Sequence, residues 1–211
     1  MRIYAVTPIH VDADELLRRQ ARYDALCPAG LRIELHDLGL GAPRALETAE
    51  QVRDSEALVV EALTAAPPGY DALLPDCVLD PGVDQLAGRL PVLGLLRISM
   101  GWQILAGQRP GAVARNPAIA DELAARVQAY GWSDAFGGVE VLDLDVHAIA
   151  DTTRWNRALG SALDRLREAG ATAVINGCSA VDVNGCSAPP GVRMVDPAAL
   201  ALRLLAAGEA T

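Results

Sequence analysis

Apolar and polar positions alternate along the chain in segments that predict β-strands separated by helices. Residues 2–7 form a short apolar run with β-branched side chains, and residues 31–38 place apolar side chains at every second position. Both patterns are typical of strands. The predicted strands are 2–7, 31–38, 71–77, 90–96, 111–116, 139–146, 172–178 and 192–196. The predicted helices are 12–26, 47–65, 117–131, 148–169 and 197–207, with a short helix between the strands 71–77 and 90–96.

The first helix carries its own start pattern and an apolar stripe. Asp12 is followed three residues later by Glu15, which is the spacing of a capping box. The predicted stripe consists of Leu16, Leu17, Ala21 and Leu26.

Strands that alternate with helices predict an α/β fold with parallel sheet covered on both faces. The plan also repeats: Thr7-Pro8 and Asn116-Pro117 are each followed by a helix containing Ala-Asp-Glu-Leu. The strands 71–77 and 172–178 both end in a cysteine. Two pseudosymmetric four-stranded halves are therefore expected, with the active site in the cleft between them.

Domain boundaries follow from this repeat. We expect residues 1–97 plus 197–211 to form an N-terminal α/β domain to which the last helix returns, and residues 98–196 to form the second.

Composition excludes several classes of function. The net charge of −9 over 211 residues argues against nucleic acid and anionic membranes as partners. The 18 basic residues are all arginine, so lysine Schiff bases and P-loop lysines are excluded. Three histidines and no Cys-x-x-Cys predict no metal site. No stretch is long and apolar enough for a membrane span or a signal peptide, which predicts a cytoplasmic protein with reduced thiols.

Cys77 and Cys178 are the candidate catalytic residues. Ligands of open parallel sheets bind beyond the carboxyl ends of the strands, where both cysteines fall. If the two halves face each other, the thiols meet across one cleft. A thiolate can then remove the proton from a substrate carbon while the opposite thiol delivers one, as racemisation without a cofactor requires.

Other polar residues near the strand ends are candidate substrate contacts. They are Thr7, His10, Asp80, Arg97 and Asn116. Each also has a structural interpretation, since Asp80 can bond a turn amide and Thr7 and Asn116 can stabilise turns. Cys186 lies in a second Asn-Gly-Cys-Ser-Ala motif but in a Gly/Pro-rich loop, so we interpret it as a loop thiol.

The chain resembles the aspartate/glutamate/hydantoin racemase superfamily, and the hydantoin racemase branch most closely. The resemblance spans nearly the whole length and is carried by Thr7-Pro8 and by the blocks YDALLPDCVLDPG (70–82), PVLGL (91–95), GATAVINGCSAV (170–181) and VDPAALAL (195–202). It implies racemisation or epimerisation by Cys77 and Cys178 without metal or organic cofactor. It also implies that backbone amides after each cysteine, at Val78 and Ser179, hold substrate oxygens together with polar residues near 116–117.

The surroundings of the thiols depart from the family pattern. Thr7-Pro8-Ile9-His10 stands where hydantoin racemases usually have Asn-Pro-Asn-Thr, and Leu96-Arg97 stands near the usual Glu-Ala pair. Arg115-Asn116 replaces the usual Thr-Thr, and Ala180 replaces the acid or histidine of amino-acid racemases. The pattern thus predicts the proton chemistry of the superfamily more firmly than its substrates.

We therefore expect a racemase or epimerase acting on a small molecule with a carbonyl-activated stereocentre, such as a hydantoin, an amino-acid derivative or a biosynthetic intermediate. One alternative is a cofactor-free decarboxylase or cis–trans isomerase of the same superfamily. A further alternative is a non-catalytic small-molecule binding module. The resemblance also allows a homo-oligomer, since dimers and higher assemblies are common among relatives.

Overall fold

The chain folds into two parallel β-sheets packed against helices. The structure is a computed structural model and describes residues 1–86, 88 and 90–209. The first sheet has the order β2-β1-β3 and the second β5-β4-β6-β7. The strands are β1 (Arg2–Val6), β2 (Arg32–His36), β3 (Ala72–Pro75), β4 (Pro110–Ala114), β5 (Val139–Val141), β6 (Ala173–Asn176) and β7 (Arg193–Val195).

Six α-helices cover these sheets in the described part of the chain. They are α1 (Ala13–Leu26), α2 (Ala49–Thr64), α3 (Leu95–Leu105), α4 (Pro117–Ala129), α5 (Thr152–Glu168) and α6 (Pro197–Glu209). Within the same described residues, none of these helices combines the length and the apolar character needed to cross a bilayer. The predicted α/β class with parallel strands is thus confirmed.

Each sheet is built around strands with little solvent contact. Ile3 of β1 pairs in register with Ile33 and with Ala72 on its two sides. In the second sheet every residue of β4 and β6 is buried. Such fully apolar strands are expected where helices cover both faces of a parallel sheet. Apolar residues of α6 pack with Ile3 of the first sheet, so the end of the chain returns to its beginning.

The predicted strand over 90–96 is wrong beyond a single bridge. Within 90–96 only Val92 pairs with β3, opposite Leu73, and the chain then enters α3 at Leu95, a helix that the sequence pattern does not predict. The first sheet accordingly has three strands where four were expected. The predicted short helix before this segment is a run of turns over 81–86, and its positions 87 and 89 lie outside the described residues.

Asp80 explains why the chain turns into a helix at this point. Its buried carboxylate accepts hydrogen bonds from the backbone N–H of Leu96 (2.9 Å) and Arg97 (2.8 Å), in the first turn of α3. Gly94 precedes the helix without a side chain of its own to cap it, and a Cβ there would lie 2.7 Å from Asp80 Oδ2. A residue distant in sequence thus caps α3 and ends the extended segment.

Two other helix starts also differ from prediction. Asp12 accepts the backbone N–H of Glu15 as expected, but the Glu15 side chain bonds Arg18 and Arg19 and does not complete a capping box. The predicted strand 139–146 ends at Val141, and α5 begins at Thr152 because Asp151 caps it.

The substitution Gly177→Ala is expected to destabilise the fold. Gly177 follows β6, and a Cβ at this position would lie 2.0 Å from the carbonyl oxygen of Val113 on β4. Backbone must move to relieve this overlap, so we expect the free energy of unfolding in urea to fall by about 1–3 kcal/mol. The matched control is Gly160→Ala in α5, where nothing lies within 4 Å of the added carbon. That variant should gain up to about 1 kcal/mol from helix propensity, and equal stability of both variants would contradict the packing described.

The substitution Asp80→Ala should remove the cap of α3. The backbone N–H groups of Leu96 and Arg97 lose their hydrogen-bond acceptor inside the protein. We therefore expect the free energy of unfolding to fall by about 2 kcal/mol. The control is Asp84→Ala, because Asp84 is exposed and pairs with the partly exposed Arg97 at 3.3 Å. Loss of this surface ion pair should change the free energy of unfolding by less than about 0.5 kcal/mol. A similar small effect at Asp80 would show that α3 starts without its help.

Candidate active site

One cavity brings both candidate catalytic thiols together. Cys77 lies two residues beyond the end of β3 and Cys178 two residues beyond the end of β6, and both line this cavity. The cavity is small, with an enclosed volume of about 60 Å³, and it opens to solvent. Both cysteines are partly exposed, so a small molecule in the cavity can reach them.

The cavity walls are mainly apolar and come from several elements. They include Ile9, Leu46, Val78, Ile149 and Trp155. The polar residues among its described lining are Arg19, Asp76, Arg115 and Ser179. An apolar wall with a few polar groups suits a small organic ligand that is held in one orientation.

The two thiols sit in turns of similar design. The backbone N–H of Leu79 donates to Cys77 Sγ at 3.5 Å, and the backbone N–H of Ala180 donates to the thiol of Cys178. In both turns the donor thus lies two residues after the cysteine. Asn176 fixes the second turn, since its amide donates to Cys178 O at 2.8 Å and its side-chain oxygen accepts from Trp155 Nε1 at 3.1 Å.

Burial makes both thiols weak acids. It raises the pKa of Cys77 to about 12, and the negative charge of Asp76 adds to this while the Leu79 N–H opposes it. Burial also raises the pKa of Cys178, but there the guanidinium groups of Arg19 and Arg115 oppose the shift. Desolvation disfavours a thiolate, and a nearby cation favours it.

A buried charge cluster links α1 to the turn before Cys77. Arg19 is 4% exposed, donates from Nε to Glu15 Oε1 at 2.7 Å, and lies with Nη1 4.0 Å from Asp76 Oδ2. The Tyr23 hydroxyl donates to Asp76 Oδ1 at 2.6 Å. Burial raises the pKa of Asp76, and the Arg19 charge opposes this.

Sequence reasoning missed this cluster because the predicted apolar stripe of α1 is only partly buried. Leu16 and Leu26 pack against the core, as predicted. Leu17 of the predicted apolar stripe is 66% exposed, whereas Arg19 and Tyr23 are the buried residues of the helix. The spacing of Glu15, Arg19 and Tyr23, each four residues apart, was the available indication of a shared face.

Arg115 is a second buried arginine at the cavity that the candidate list omitted. It is held by Glu47 Oε1 (2.7 Å) and by the carbonyl oxygens of Leu46 and Leu144, both at 3.0 Å. These bonds fix the loop that carries Leu46 into the cavity wall. Arg115 thus places a positive charge at the cavity and shapes it.

Of the seven predicted binding residues, Val78 and Ser179 line the cavity with the thiols. Ser179 Oγ donates to the carbonyl of Asp76 at 3.2 Å, which connects the two thiol turns directly. The other five are not among the described residues that line it: Thr7, His10, Asp80, Arg97 and Asn116. Their contact with a substrate stays a prediction.

Two of these five, Thr7 and Asn116, stabilise loops beside the cavity. The Thr7 hydroxyl donates to Ile9 O at 2.8 Å. Asn116 caps α4 through the Ile119 N–H at 2.9 Å and donates to Leu46 O at 2.7 Å. Both therefore support residues of the cavity wall.

His10, Asp80 and Arg97 have other surroundings. His10 bonds Asp37 through Nδ1 at 2.7 Å and lines an outer groove that shares Ile9 and Arg19 with the cavity. Asp80 caps α3 and accepts the Tyr130 hydroxyl at 2.9 Å, and burial raises its pKa to about 6. Arg97 pairs with Asp84 on the surface.

The other two cysteines, Cys27 and Cys186, are not among the described residues that line the cavity. Cys186 lines a separate surface pocket with Asn184 and Arg203, and Cys27 ends α1. In the part of the chain that the structure describes, no three His, Cys, Asp or Glu side chains are grouped so that they could hold a metal ion.

Comparison with solved structures shows a shared fold. Allantoin racemase from Pseudomonas fluorescens superposes with a TM-score of 0.81 at 17% identity, covering 98% of this chain and 90% of that one. Allantoin racemase from Klebsiella pneumoniae gives 0.79 at 21% identity, covering 100% and 88%. A Gly74Cys-Cys188Ser mutant of arylmalonate decarboxylase gives 0.61 at 19% identity, covering 98% and 93%. No curated protein matches the chain by sequence.

A family model also matches the sequence, over residues 16–205, and its description is Asp/Glu/Hydantoin racemase. The match covers every strand except β1 and includes both thiol turns. It agrees with the motifs around Cys77 and Cys178 from which the resemblance was inferred. The chain belongs to the Asp/Glu/hydantoin racemase family.

Proposed function

We propose that this protein is a cofactor-independent racemase or epimerase in which Cys77 and Cys178 act as acid and base. The observation that carries the proposal is that both thiols line one cavity, each at the carboxyl end of a strand in a different sheet. Two proton-transfer groups at one substrate are what inversion of a stereocentre needs.

In this mechanism one thiolate removes the proton next to a carbonyl group, and the electron pair moves into the carbonyl to form an enolate. The opposite thiol then delivers its proton to the other face of the same carbon. The substrate gains and loses one proton, and the two sulfurs exchange roles. Arg19 and Arg115 place positive charge at the cavity, which stabilises the negative charge of the enolate. The backbone amides of Val78 and Ser179 hold substrate oxygens.

The substrate in this proposal is a small molecule whose stereocentre is acidified by a neighbouring carbonyl. The apolar walls and the size of the cavity support a compact ligand. The structural likeness to two allantoin racemases supports ureides and hydantoins, with amino-acid derivatives and biosynthetic intermediates as related classes.

The proposal includes an arrangement of two halves. Residues 1–97 plus 197–211 and residues 98–196 are proposed as pseudosymmetric domains that face each other across the cavity. The packing of α6 with the first sheet supports the return of the C-terminus. The cytoplasmic location and the homo-oligomer stay predictions.

Decarboxylation is the second candidate function, favoured by the likeness to arylmalonate decarboxylase. A decarboxylase needs one proton donor for the carbanion left by carbon dioxide, whereas this cavity is lined by two thiols. The second thiol therefore favours the racemase.

Exchange of hydrogen with solvent tests the proposal. Chiral hydantoins, allantoin and amino-acid derivatives are incubated with the protein in deuterium oxide, and deuterium at the stereocentre is followed by NMR or mass spectrometry. Both enantiomers of the true substrate should exchange and racemise. Cys77→Ser and Cys178→Ser should each lower racemisation at least about a hundredfold, because a hydroxyl is a far weaker acid than a thiol.

The matched control is Cys186→Ser, which removes a thiol outside the cavity and should leave racemisation unchanged. Inactivation by only one of the two cavity variants, with release of carbon dioxide, would replace the racemase by the decarboxylase. A ligand recovered unchanged, and still bound after both cysteines are replaced, would identify a binding module.

A second prediction concerns pH. The reaction needs one thiolate, and burial raises the pKa of Cys77 to about 12 and that of Cys178 above its ordinary value. At neutral pH little thiolate is present and its amount grows with pH, so kcat/KM should rise about tenfold per unit between pH 7 and 9. The rate should fall only when the second thiol ionises, near pH 12. A flat or falling profile between pH 7 and 9, in protein shown to be folded by circular dichroism, would contradict thiol bases of this kind.

A further inference from the structure

One oxygen atom beside Cys77 is buried without a hydrogen-bond partner. Asp76 directly precedes Cys77 and lines the cavity, and Oδ2 of its carboxylate has no partner among the described residues. Three other buried polar atoms there share this condition, but their residues are not among the described cavity lining: His36, Ser99 and Asn156. Buried polar groups nearly always have a partner, so an open carboxylate oxygen at a cavity points to a donor supplied by a ligand.

Asp76 is held so that this oxygen cannot turn to another protein group. The other carboxylate oxygen, Oδ1, accepts the Tyr23 hydroxyl at 2.6 Å. The backbone N–H of Asp76 donates to Val6 O at 2.9 Å, and its carbonyl accepts from Ser179 Oγ at 3.2 Å. The backbone and the side chain are thus both fixed, and Oδ2 stays unpaired.

Arg19 places a donor next to this acceptor. It lines the same cavity, and its Nε donates to Glu15 Oε1 at 2.7 Å, while its Nη1 lies 4.0 Å from Asp76 Oδ2. That separation is too long for a hydrogen bond, so the donor and the acceptor lie side by side without satisfying each other. An amide presents the complementary order, an N–H next to a C=O. One amide can therefore donate to Oδ2 and accept from Nη1.

The charges around the cavity favour a neutral group over a carboxylate at this place. Each of its two arginines already has a carboxylate partner at 2.7 Å, Glu15 for Arg19 and Glu47 for Arg115. Asp76 adds a third negative charge. A substrate carboxylate here would lie beside Asp76 without an unpaired cation among the described lining residues, and a buried charge without a partner is unfavourable. A neutral amide avoids this repulsion.

We propose that Asp76 determines substrate specificity: its Oδ2 accepts the N–H of a neutral amide or ureide whose carbonyl is bonded to the stereocentre, and Arg19 Nη1 donates to that carbonyl. The same carbonyl gains the enolate charge when the neighbouring proton leaves, so the Arg19 donor is placed where charge develops. This inference rests on the proposed function for its place in catalysis, because it names the substrate class of the same site. Binding through Asp76 itself needs no turnover.

Only one of the two thiol turns carries this acceptor. Gly177 precedes Cys178 where Asp76 precedes Cys77, and a Cβ at position 177 would lie 2.0 Å from Val113 O. The second turn therefore has no side chain at the matching position. Both enantiomers are then held by the same amide edge at Asp76, and they differ in which thiol faces the hydrogen of the stereocentre.

Two methylated hydantoins test the inference. A chiral hydantoin has one N–H between its two carbonyls and one bonded to the stereocentre, and only the first adjoins the carbonyl attached to the stereocentre. Dissociation constants of the racemic parent and of both racemic methyl derivatives are measured by calorimetry with the wild-type protein. Methylation between the carbonyls should weaken binding at least about tenfold, because the carboxylate loses its donor. Methylation of the other nitrogen should weaken it less than about threefold.

The variant Asp76→Asn identifies the acceptor. With the Tyr23 bond kept on the amide oxygen, an NH₂ group takes the place of Oδ2 and faces the substrate N–H, so the parent hydantoin should bind at least about tenfold more weakly. Its advantage over the derivative methylated between the carbonyls should shrink, whereas a purely steric effect of the methyl group would persist beside a side chain of equal size.

The matched control is Asp196→Asn. The Asp196 side chain is also buried and pairs with an arginine of α1, Arg22, at 2.6 Å, but it lines a pocket outside the cavity. This variant should keep the wild-type preference between the two methyl derivatives. Circular dichroism checks that both variants are folded.

Equal affinity of the wild-type protein for the two methyl derivatives, or no binding of the parent hydantoin, would overturn the inference, and neither result needs a variant to fold. An unchanged preference in folded Asp76→Asn would also overturn it. These results are independent of racemisation. A protein that shows the preference but exchanges no hydrogen supports the inference and contradicts the proposed function, whereas a racemase without the preference does the reverse.

Discussion

The attachment of both thiol turns to helix α1 is the constraint on which the site depends. On one side of α1, Arg19 and Tyr23 hold Asp76, the residue before Cys77. On the other, Arg18 and Arg22 donate to the carbonyls of Ala180 and Ser179, just after Cys178. One helix thus fixes strand ends from two different sheets. Because Arg19 and Asp76 are both buried, loss of either one would leave an unpaired charge in the interior, which is strongly unfavourable.

Much of the fold could be predicted from local sequence because its elements have regular patterns. Continuous apolar runs, together with alternating apolar positions as at 31–38, were enough to locate all seven strands of the described structure. The exception is the segment 90–96, which was predicted as a strand but leads into α3. Asp80 caps this helix, and no local sequence pattern connects Asp80 with the start of the helix. Apolar composition alone cannot distinguish a strand from a buried helix start.

The candidate site could be predicted where reactive side chains occupy matching positions in the two sequence repeats. Matching strand ends pointed to Cys77 and Cys178, and the turn residues Val78 and Ser179 lie with them in the cavity. Arg19, Asp76 and Arg115 were missed because charged residues are normally assigned to solvent, whereas here they are paired inside. Thr7, Asn116 and Asp80 were chosen as polar residues at strand ends, but buried polar groups need partners. Thr7 and Asn116 find them in the backbone of nearby loops, and Asp80 finds them in the first turn of α3.

In the proposed racemisation, the apolar cavity makes weakly acidic thiols suitable as the base and the acid. A proton next to a carbonyl is itself only weakly acidic, so a base that binds its proton tightly is better matched to it than an ordinary thiolate. The same burial that raises the pKa of Cys77 to about 12 strengthens the attraction between an enolate and the guanidinium groups. The cost is a small population of thiolate at neutral pH.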